Sequence, residues 1–262
     1  MIYFDYAAST PICTLAKKKM LEVIESDYLY TNPSVSTYSL AKPARELIEQ
    51  ARLEVLEALG LSTSHHLVFT SGATESINLV NQGVCGAYAS SLKQVICALT
   101  DHKATINTLE ALQKKGTAIC MLNVNHEGGI DLQQLETALK RGPGLVNLCW
   151  VNNETGVVAP VAIVAALCQQ YGALLHLDAA QAIGKVDLAE IQFADFISLS
   201  AHKFYGPKGS GALIIRNNRR ISPQFFGGGQ EYTLRPGTCA THQIVGLHYA
   251  LLDTIKRYKT QG

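Results

Sequence analysis

The chain alternates short, continuous apolar runs with longer amphipathic stretches. Continuous apolar runs are typical of strands that are buried on both faces, as in a parallel sheet covered by helices. Seven runs fit this pattern, at 66–70, 94–99, 117–122, 145–151, 173–178, 194–200 and 211–216. Helix-like stretches lie between the earlier runs, near 74–90, 103–115, 131–140 and 160–171. The pattern therefore predicts an α/β fold of three layers, a mostly parallel seven-stranded sheet with helices on both faces.

Residues at the helix boundaries and the pattern of the first 60 residues add detail to this predicted fold. Asp131 is a good N-cap for the third helix-like stretch, and Gly142 follows its end. The stretches 14–27 and 41–60 have the pattern of two surface helices, which precede the first strand. No composition shift marks a domain boundary within 12–250, so we expect one large domain.

Composition narrows the class of protein. The chain has 262 residues, a formal net charge of +1 and 47% apolar residues. Its few, balanced charges give no electrostatic basis for binding nucleic acid or an anionic membrane. The N-terminus lacks a basic segment followed by an apolar stretch, and no apolar run reaches about 18 residues. Neither a signal peptide nor a transmembrane helix is predicted.

The seven cysteines are scattered and form no CxxC pair. This spacing argues against a metal site and against a disulfide framework. Cys97, Cys120 and Cys149 lie within apolar runs, where we expect them to be small buried hydrophobic residues. Cysteines without a disulfide framework are typical of a reducing compartment, so this pattern predicts a cytoplasmic protein.

Candidate chemistry follows the ends of the predicted strands, where ligands bind in open α/β sheets. Residues 71–76, SGATES, lead from the first run into a helix. Exposed N–H groups, the helix dipole and two hydroxyls form a phosphate cradle there. The alternative is an ordinary N-cap with Glu75 as a first-turn acid.

Further polar residues follow the later runs. His102 and Asn153 each follow a strand, either to orient a ligand or to satisfy the local backbone. Asp178 ends an apolar run, where a carboxylate is costly to desolvate without a partner, and Gln181 lies three residues later. The segment 198–213, SLSAHKFYGPKGSGAL, combines a strand end with a tight glycine-rich loop.

One ligand would use all of these groups. Pyridoxal 5′-phosphate needs an anion cradle, a carboxylate on its ring nitrogen, a lysine for a Schiff base and a flat partner on its ring. Residues 71–76, Asp178, Lys203 and His102 supply these four features at one predicted edge of the sheet. The sequence therefore predicts a pyridoxal-phosphate site, and no metal site.

Two lysines compete for the covalent role. Lys203 directly follows a strand, where its amine is partly desolvated and can lose its proton. Lys208 lies among Gly and Pro in an exposed loop. We therefore predict that Lys203 carries the cofactor and that Lys208 is a solvated charge.

With these residues in place, the chain resembles the cysteine desulfurases, class V, fold-type I enzymes related to aminotransferases. The resemblance extends from residue 3 to about 250. It rests on these segments, in chain order: YFDYAASTP, NPS, FTSGATESINL, DHKA, VNNETGVV, LDAAQAIGK, SLSAHKFYGPKGSGAL, GGGQE and RPGT.

The resemblance implies a role for each candidate residue. Lys203 would form the Schiff base, His102 would stack on the ring and shuttle protons, and Asp178 would pair with the ring nitrogen. The other implied cofactor contacts are Ala73, Thr74, Ser200 and His202 at the phosphate, Gln181 at the phenolic oxygen, Asn153 near the ring substituents, and Thr238 at the phosphate of the partner subunit in a homodimer.

The resemblance also implies a reaction. Sulfur leaves L-cysteine as a persulfide on an enzyme cysteine, alanine is released, and the sulfur feeds iron–sulfur cluster assembly or thio-cofactor biosynthesis through an acceptor or scaffold protein. Two alternatives remain: a pyridoxal-phosphate-binding fragment or paralogue without turnover, and another class V aminotransferase or lyase.

The chain departs from the family pattern in three ways. Family members are considerably longer, so the resemblance implies a large domain over 1–262, with its core at about 13–250. The segments 1–12 and 250–262 would be remnants that join an absent small domain. None of the cysteines lies at the family's nucleophile position; Cys239 is the nearest. After NPS the family has a His and then a Gly, where this chain has Tyr38 and Ala41.

A missing small domain would leave apolar surface behind. We expect the N-terminal residues Ile2, Tyr3 and Phe4, and the last helix at about 243–257, to lack cover. Such surface favours self-association.

Overall fold

One seven-stranded sheet organises residues 2–261, which are the residues that this computed structural model describes. The strands are β1 (His65–Thr70), β2 (Gln94–Ala98), β3 (Ile119–Leu122), β4 (Gly144–Cys149), β5 (Leu174–Asp178), β6 (Phe196–Ser200) and β7 (Gly211–Arg216). Their order across the sheet is β1-β7-β6-β5-β4-β2-β3. The pairs among β2 to β6 are parallel, whereas β7 is antiparallel to both β1 and β6. The predicted mostly parallel sheet is confirmed.

Helices cover both faces of this sheet. Those in the described residues are α1 (Thr14–Ile24), α2 (Lys42–Ala58), α3 (Ala73–Ala87), α4 (Lys103–Lys114), α5 (Leu132–Leu139), α6 (Val161–Gln170) and α7 (Thr241–Gln261). Alternate residues of one strand enter separate cores: Leu67 and Phe69 pack with α2 and α7, whereas Val68 packs with α3 and α4. The strands read as continuous apolar runs because both of their faces are buried.

The structure confirms one of two expectations about exposed apolar surface at the ends of the chain and contradicts the other. Ile2 and Phe4 are 80% and 90% exposed, as expected. The expectation that the last helix lacks cover is wrong, because α7 packs against α1 and α2. Its apolar residues Ile244 and Leu251 are buried in that contact. The apolar spacing of α7 is therefore explained by neighbours within the chain.

The strand register brings the polar strand ends together at one edge of the sheet. Ser200 of β6 pairs with Gly211 of β7, and Gly211 pairs with Thr70 of β1. A Cβ atom at Gly211 would lie 2.4 Å from the Cα of Gly72, so only glycine allows the loop before α3 to approach β7 this closely. In the middle of the sheet, Asp178 of β5 pairs with Cys149 of β4.

A row of buried polar side chains lies beneath this edge. The His176 Nδ1 is 2.7 Å from Asn147 Oδ1, and its Nε2 is 2.8 Å from Ser198 Oγ. Asn147 Nδ2 donates in turn to Asn81 Oδ1 of α3 at 2.9 Å. Burial lowers the pKa of His176 to about 3, so the imidazole is neutral in the folded protein at physiological pH. The row ties three strands to the helix that carries the predicted phosphate cradle.

The neutral His176 predicts a specific loss of stability in acid. Its folded pKa is below the value of the unfolded chain, so its contribution is fully present above pH ~6.5 and is lost as pH falls toward 3. The wild type should lose about 1.4 kcal/mol per pH unit relative to His176→Gln between about pH 6 and 4. Urea unfolding of both proteins across this range measures the difference. A difference that does not change with pH would show that His176 is not held neutral.

Candidate active site

A cavity of ≈ 540 Å³ opens at the carboxyl edge of the sheet. It is lined by nine of the ten residues that the sequence predicted: Ala73, Thr74, His102, Asn153, Asp178, Gln181, Ser200, His202 and Lys203. These residues come from five separate segments, and the sheet register brings them together. Thr238 does not line this cavity.

The N-terminus of α3 forms one wall of the cavity. Its N-cap is Gly72, with φ 151°, and no side chain caps the helix there. The first N–H groups of a helix have no partner within it, so this uncapped turn is open to an anion. Glu75 accepts from Ser71 N at 2.7 Å and from Arg235 Nε at 2.9 Å. Of the N-cap alternative, the structure contains Glu75 as a first-turn acid but no side chain that caps the helix.

Ser200 and His202 also line the cavity, and Ser200 lies beside this turn. Ser200 is the last residue of β6 and is buried, and its Oγ would lie 3.4 Å from a Cβ at Gly72. His202 Nδ1 lies 3.3 Å from Ser9 Oγ. Burial, with the positive charges of Lys203 and Lys208, lowers the pKa of His202. The cavity therefore presents hydroxyl, imidazole and backbone N–H groups to one region of space.

Asp178 lies at the end of β5 with only 7% of its surface exposed. Its Oδ1 accepts from Ala180 N at 3.1 Å. Burial raises the pKa of Asp178, against the lowering effects of the Ala180 N–H and of the charges on His102 and Lys203. A buried carboxylate with one backbone donor can still accept a hydrogen bond from a cationic N–H in the cavity.

A second buried carboxyl group, Asp101, lies behind Asp178 and was not predicted. It precedes His102 and accepts from Ala98 N at 3.1 Å and from Cys149 N at 3.4 Å. Burial, together with the charge of the nearby Asp178, raises the pKa of Asp101 to about 7 against the lowering effects of these two donors. Its position directly before a candidate histidine was the only signal in the sequence.

Lys203 lies in a single 3₁₀ turn, Ala201–Lys203, directly after β6. Its Nζ donates to Ala7 O at 2.7 Å and to Ala8 O at 3.1 Å. Burial lowers the pKa of Lys203, against the raising effects of Asp5 and Asp178. Lys208 lines the mouth of the cavity, although its side chain is exposed as predicted.

The remaining predicted residues occupy the sides of the cavity. His102 is the N-cap of α4, and its Nδ1 accepts from Ala104 N at 3.0 Å. The ring thus has a structural role and still faces the cavity. Gln181 is held on both sides, because its Oε1 accepts from Lys185 Nζ while its Nε2 donates to Ala7 O at 2.8 Å. Asn153 lines the cavity.

Thr238 and Cys239 lie outside this cavity. Thr238 is exposed in a neighbouring groove that also contains Glu75 and Arg235. Cys239 lines a different cavity, of ≈ 460 Å³, and its Sγ is 3.5 Å from Glu231 Oε1. Burial, with the Glu231 carboxylate, raises the pKa of Cys239 to about 11. A thiol with this pKa is protonated at neutral pH, and Cys239 does not line the cavity near Lys203.

The other cysteines differ partly from expectation. Cys97 is fully buried as predicted, but Cys120 and Cys149 are only half-buried, so the prediction for these two is wrong. Cys120 lies on the edge strand β3, and Cys149 lines the cavity at the end of β4. Burial, with the charges of Asp178 and Asp101, raises the pKa of the Cys149 thiol well above its usual range.

The donor set fits pyridoxal 5′-phosphate. The uncapped α3 turn and the Ser200 hydroxyl can donate hydrogen bonds to a phosphate. The Asp178 carboxylate can accept a hydrogen bond from a ring N–H, and the Lys203 amine can form a Schiff base with the aldehyde carbon. Within residues 2–261, no group of three or more His, Cys, Asp or Glu side chains is arranged to hold a metal ion. None of the helices in the same part of the chain combines the length and hydropathy needed to cross a bilayer.

Comparison with known proteins identifies the family. The model of the class-V aminotransferases matches residues 2–260, so the chain belongs to this family, whose cofactor is pyridoxal 5′-phosphate. Among curated proteins, it is 40% identical over 250 residues to the cysteine desulfurase IscS of Proteus mirabilis. That alignment covers 94% of this chain but only 61% of the relative.

Solved structures agree with this assignment. A NifS-like protein superimposes with a TM-score of 0.92 at 33% identity, over 99% of this chain and 71% of the other. A structure described as SspA in complex with cysteine gives a TM-score of 0.87 at 37% identity, over 96% of this chain and 72% of the other. The chain therefore spans most of a fold shared with these proteins and about three fifths of the length of its curated relatives.

Proposed function

We propose that the protein is a cysteine desulfurase that removes sulfur from L-cysteine and releases alanine. The observation that carries this proposal is the meeting of Lys203, Asp178 and the α3 turn in one cavity, in a chain 40% identical to a named cysteine desulfurase. The sulfur would go to an acceptor or scaffold protein, for iron–sulfur cluster assembly or thio-cofactor biosynthesis.

The chain's own residues have distinct tasks in this proposal. Bound pyridoxal phosphate supplies an electron sink for bond cleavage in the substrate. The α3 turn, with Ser200 and His202, would hold its phosphate, and Asp178 would keep the ring nitrogen protonated. Lys203 has a lowered pKa, so its amine serves both as a nucleophile and as a base that moves a proton at Nζ. His102 would cover the ring, and Gln181 and Asn153 would contact its substituents.

The sulfur-accepting thiol is not assigned to a cysteine of residues 2–261. Transfer breaks the carbon–sulfur bond of cysteine and forms a sulfur–sulfur bond to a thiolate, while the substrate carbon gains a proton and becomes alanine. A thiolate is needed, but burial raises the pKa of both Cys149 and Cys239. We therefore assign acceptance to a thiol outside these residues, or to a small thiol in solution.

The oligomeric state and compartment are also proposals. Thr238 is exposed next to Glu75, which lies in the first turn of α3. Because Thr238 is exposed and does not line this chain's own cavity, it is accessible to a partner subunit, which supports a homodimer. The seven cysteines form no disulfide in the described structure, which supports a reducing cytoplasm.

The test is turnover by the purified chain with pyridoxal phosphate, L-cysteine and dithiothreitol as the sulfur acceptor. We expect a yellow complex and release of alanine and sulfide in equal amounts. A yellow complex without alanine would instead support a cofactor-binding fragment or paralogue without turnover. Turnover of another amino acid in preference to cysteine would support a different class V aminotransferase or lyase.

A further inference from the structure

The N-terminal segment is built into the loop that carries Lys203. Thr10 donates from both its N–H and its hydroxyl to His202 O, each at 2.9 Å. The same hydroxyl accepts from Tyr205 N at 2.7 Å, and Cys13 N donates to Tyr205 O at 2.9 Å. Residues on both sides of Lys203 are therefore fixed to a segment about 190 positions earlier in the chain. Sequence reasoning assigned this segment only to contacts with an absent domain.

Just before Thr10, the chain forms a closed turn from Asp5 to Ala8. Ala8 N donates to Asp5 O and to Asp5 Oδ1, each at 3.1 Å. This turn aims two successive carbonyl groups at the lysine, since Lys203 Nζ is 2.7 Å from Ala7 O and 3.1 Å from Ala8 O. Gln181 Nε2 also donates to Ala7 O, which anchors the turn to the cavity wall.

The chemistry of this arrangement suits a cation. A primary ammonium group has three N–H donors and no acceptor. Two carbonyl oxygens and a nearby carboxylate therefore bind the ammonium form more strongly than the neutral amine. Asp5 and Asp178 are the carboxylates whose charges act on Lys203. Because Lys185 donates to Gln181 Oε1, the amide can present only its Nε2 to the turn, which keeps Ala7 O in place.

We propose that the turn Asp5–Ala8 is an acceptor site for the ε-ammonium group of Lys203, and that Asp5 is the positioning residue that forms it. The site holds the free amine at the edge of the cavity, beside Asp178, whenever the amine is not joined to another molecule. The proposal deepens the role given to Lys203 in the proposed function, and it requires no turnover for its test.

The experiment measures how fast Lys203 reacts with acetic anhydride in the full chain after hydroxylamine has removed bound cofactor. Lys208, five residues later and exposed, is the internal reference. Mass spectrometry of chymotryptic peptides gives the ratio of the two acetylation rates. Asp5→Asn removes the charge but can keep the bond to Ala8 N, whereas Asp5→Ala removes both. Asp27→Asn, at another exposed aspartate, is the matched control.

We expect the Lys203-to-Lys208 ratio to rise about three- to tenfold in Asp5→Ala, less in Asp5→Asn, and not at all in Asp27→Asn, because losing an acceptor site frees the amine and losing a carboxylate favours its neutral form. Thermal melting of each variant shows whether the fold is intact. Ratios that stay at the wild-type value in both folded Asp5 variants would overturn the proposal. A chain that binds no pyridoxal phosphate would overturn the proposed function but leave this result unaffected.

Discussion

Replacing Lys203 with alanine will abolish covalent attachment of pyridoxal phosphate to the chain. Among the described residues that line the cavity, Lys203 is the one lysine whose amine has a lowered pKa and a nearby buried carboxylate, Asp178. Without it, the aldehyde has no nucleophile at the correct position, and we expect loss of the yellow absorbance together with a rate loss of at least about 10⁴-fold. Absorbance after gel filtration, followed by borohydride reduction and mass spectrometry, measures the attachment.

Lys208→Ala is the matched control, because Lys208 lines the mouth of the same cavity but has an exposed side chain. We expect it to retain both the absorbance and the covalent label. If the label were found on Lys208 in the wild type, or persisted in Lys203→Ala, the assignment of the covalent role would be wrong.

Replacing Arg52 with methionine will destabilise the fold by about 3–5 kcal/mol, because it leaves the buried Glu231 carboxylate without its cationic partner. Arg52 is 5% exposed and donates to both Glu231 oxygens, at 2.9 and 2.8 Å. Glu231 also accepts from Phe69 N at 2.7 Å. The guanidinium therefore joins α2, the edge strand β1 and the loop after β7 at one point.

The same ion pair holds a costly backbone conformation. Glu231, Tyr232 and Thr233 all have positive φ, at 47°, 58° and 65°. Each left-handed non-glycine residue costs of order 1–3 kcal/mol and persists only where surrounding contacts fix it. Loss of Arg52 should therefore also increase proteolytic cleavage near 231–233.

Lys42→Met is the control for Arg52→Met, since Lys42 is on the same helix and pairs with Glu46 on the surface. An exposed pair of this kind contributes about 0–1 kcal/mol. Urea unfolding of the three proteins gives the free energies. Equal losses in the two variants would show that the buried pair is not the source of the stability.

The sequence allowed the sheet and most of the cavity to be predicted, because the relevant signals are local. Strands buried on both faces appear as apolar runs; Asp178 ends one of these runs, and Lys203 lies in the turn after another. The edge strand β3 begins at Ile119, two residues later than predicted, because the apolar run starts at 117 whereas the pairing with β2 starts only at Ile119. The expectation that α7 lacks cover was wrong because the sequence pattern could not identify α1 and α2 as its neighbours within the chain.

The contacts of the N-terminal segment could not be predicted in this way. Ala7 and Ala8 contribute backbone oxygens, and no residue type marks a carbonyl that will accept from a lysine far along the chain. Asp101 was missed for a related reason, because its burial depends on the pairing of β2 with β4. Contacts of this kind depend on tertiary packing. A single sequence contains no periodic pattern that would reveal them.

The path of the N-terminal segment has a consequence for how the protein is made. Thr10 and His202, whose bond fixes the lysine loop, are separated by 192 positions. At about 5–20 residues per second, a ribosome needs roughly 10–40 s to synthesise the interval. During that time the segment, with the exposed Ile2 and Phe4 beside it, has no partner from the lysine loop. Assembly of the cofactor site is therefore a late event in biosynthesis, and until then this segment is a natural target for a chaperone that binds apolar segments.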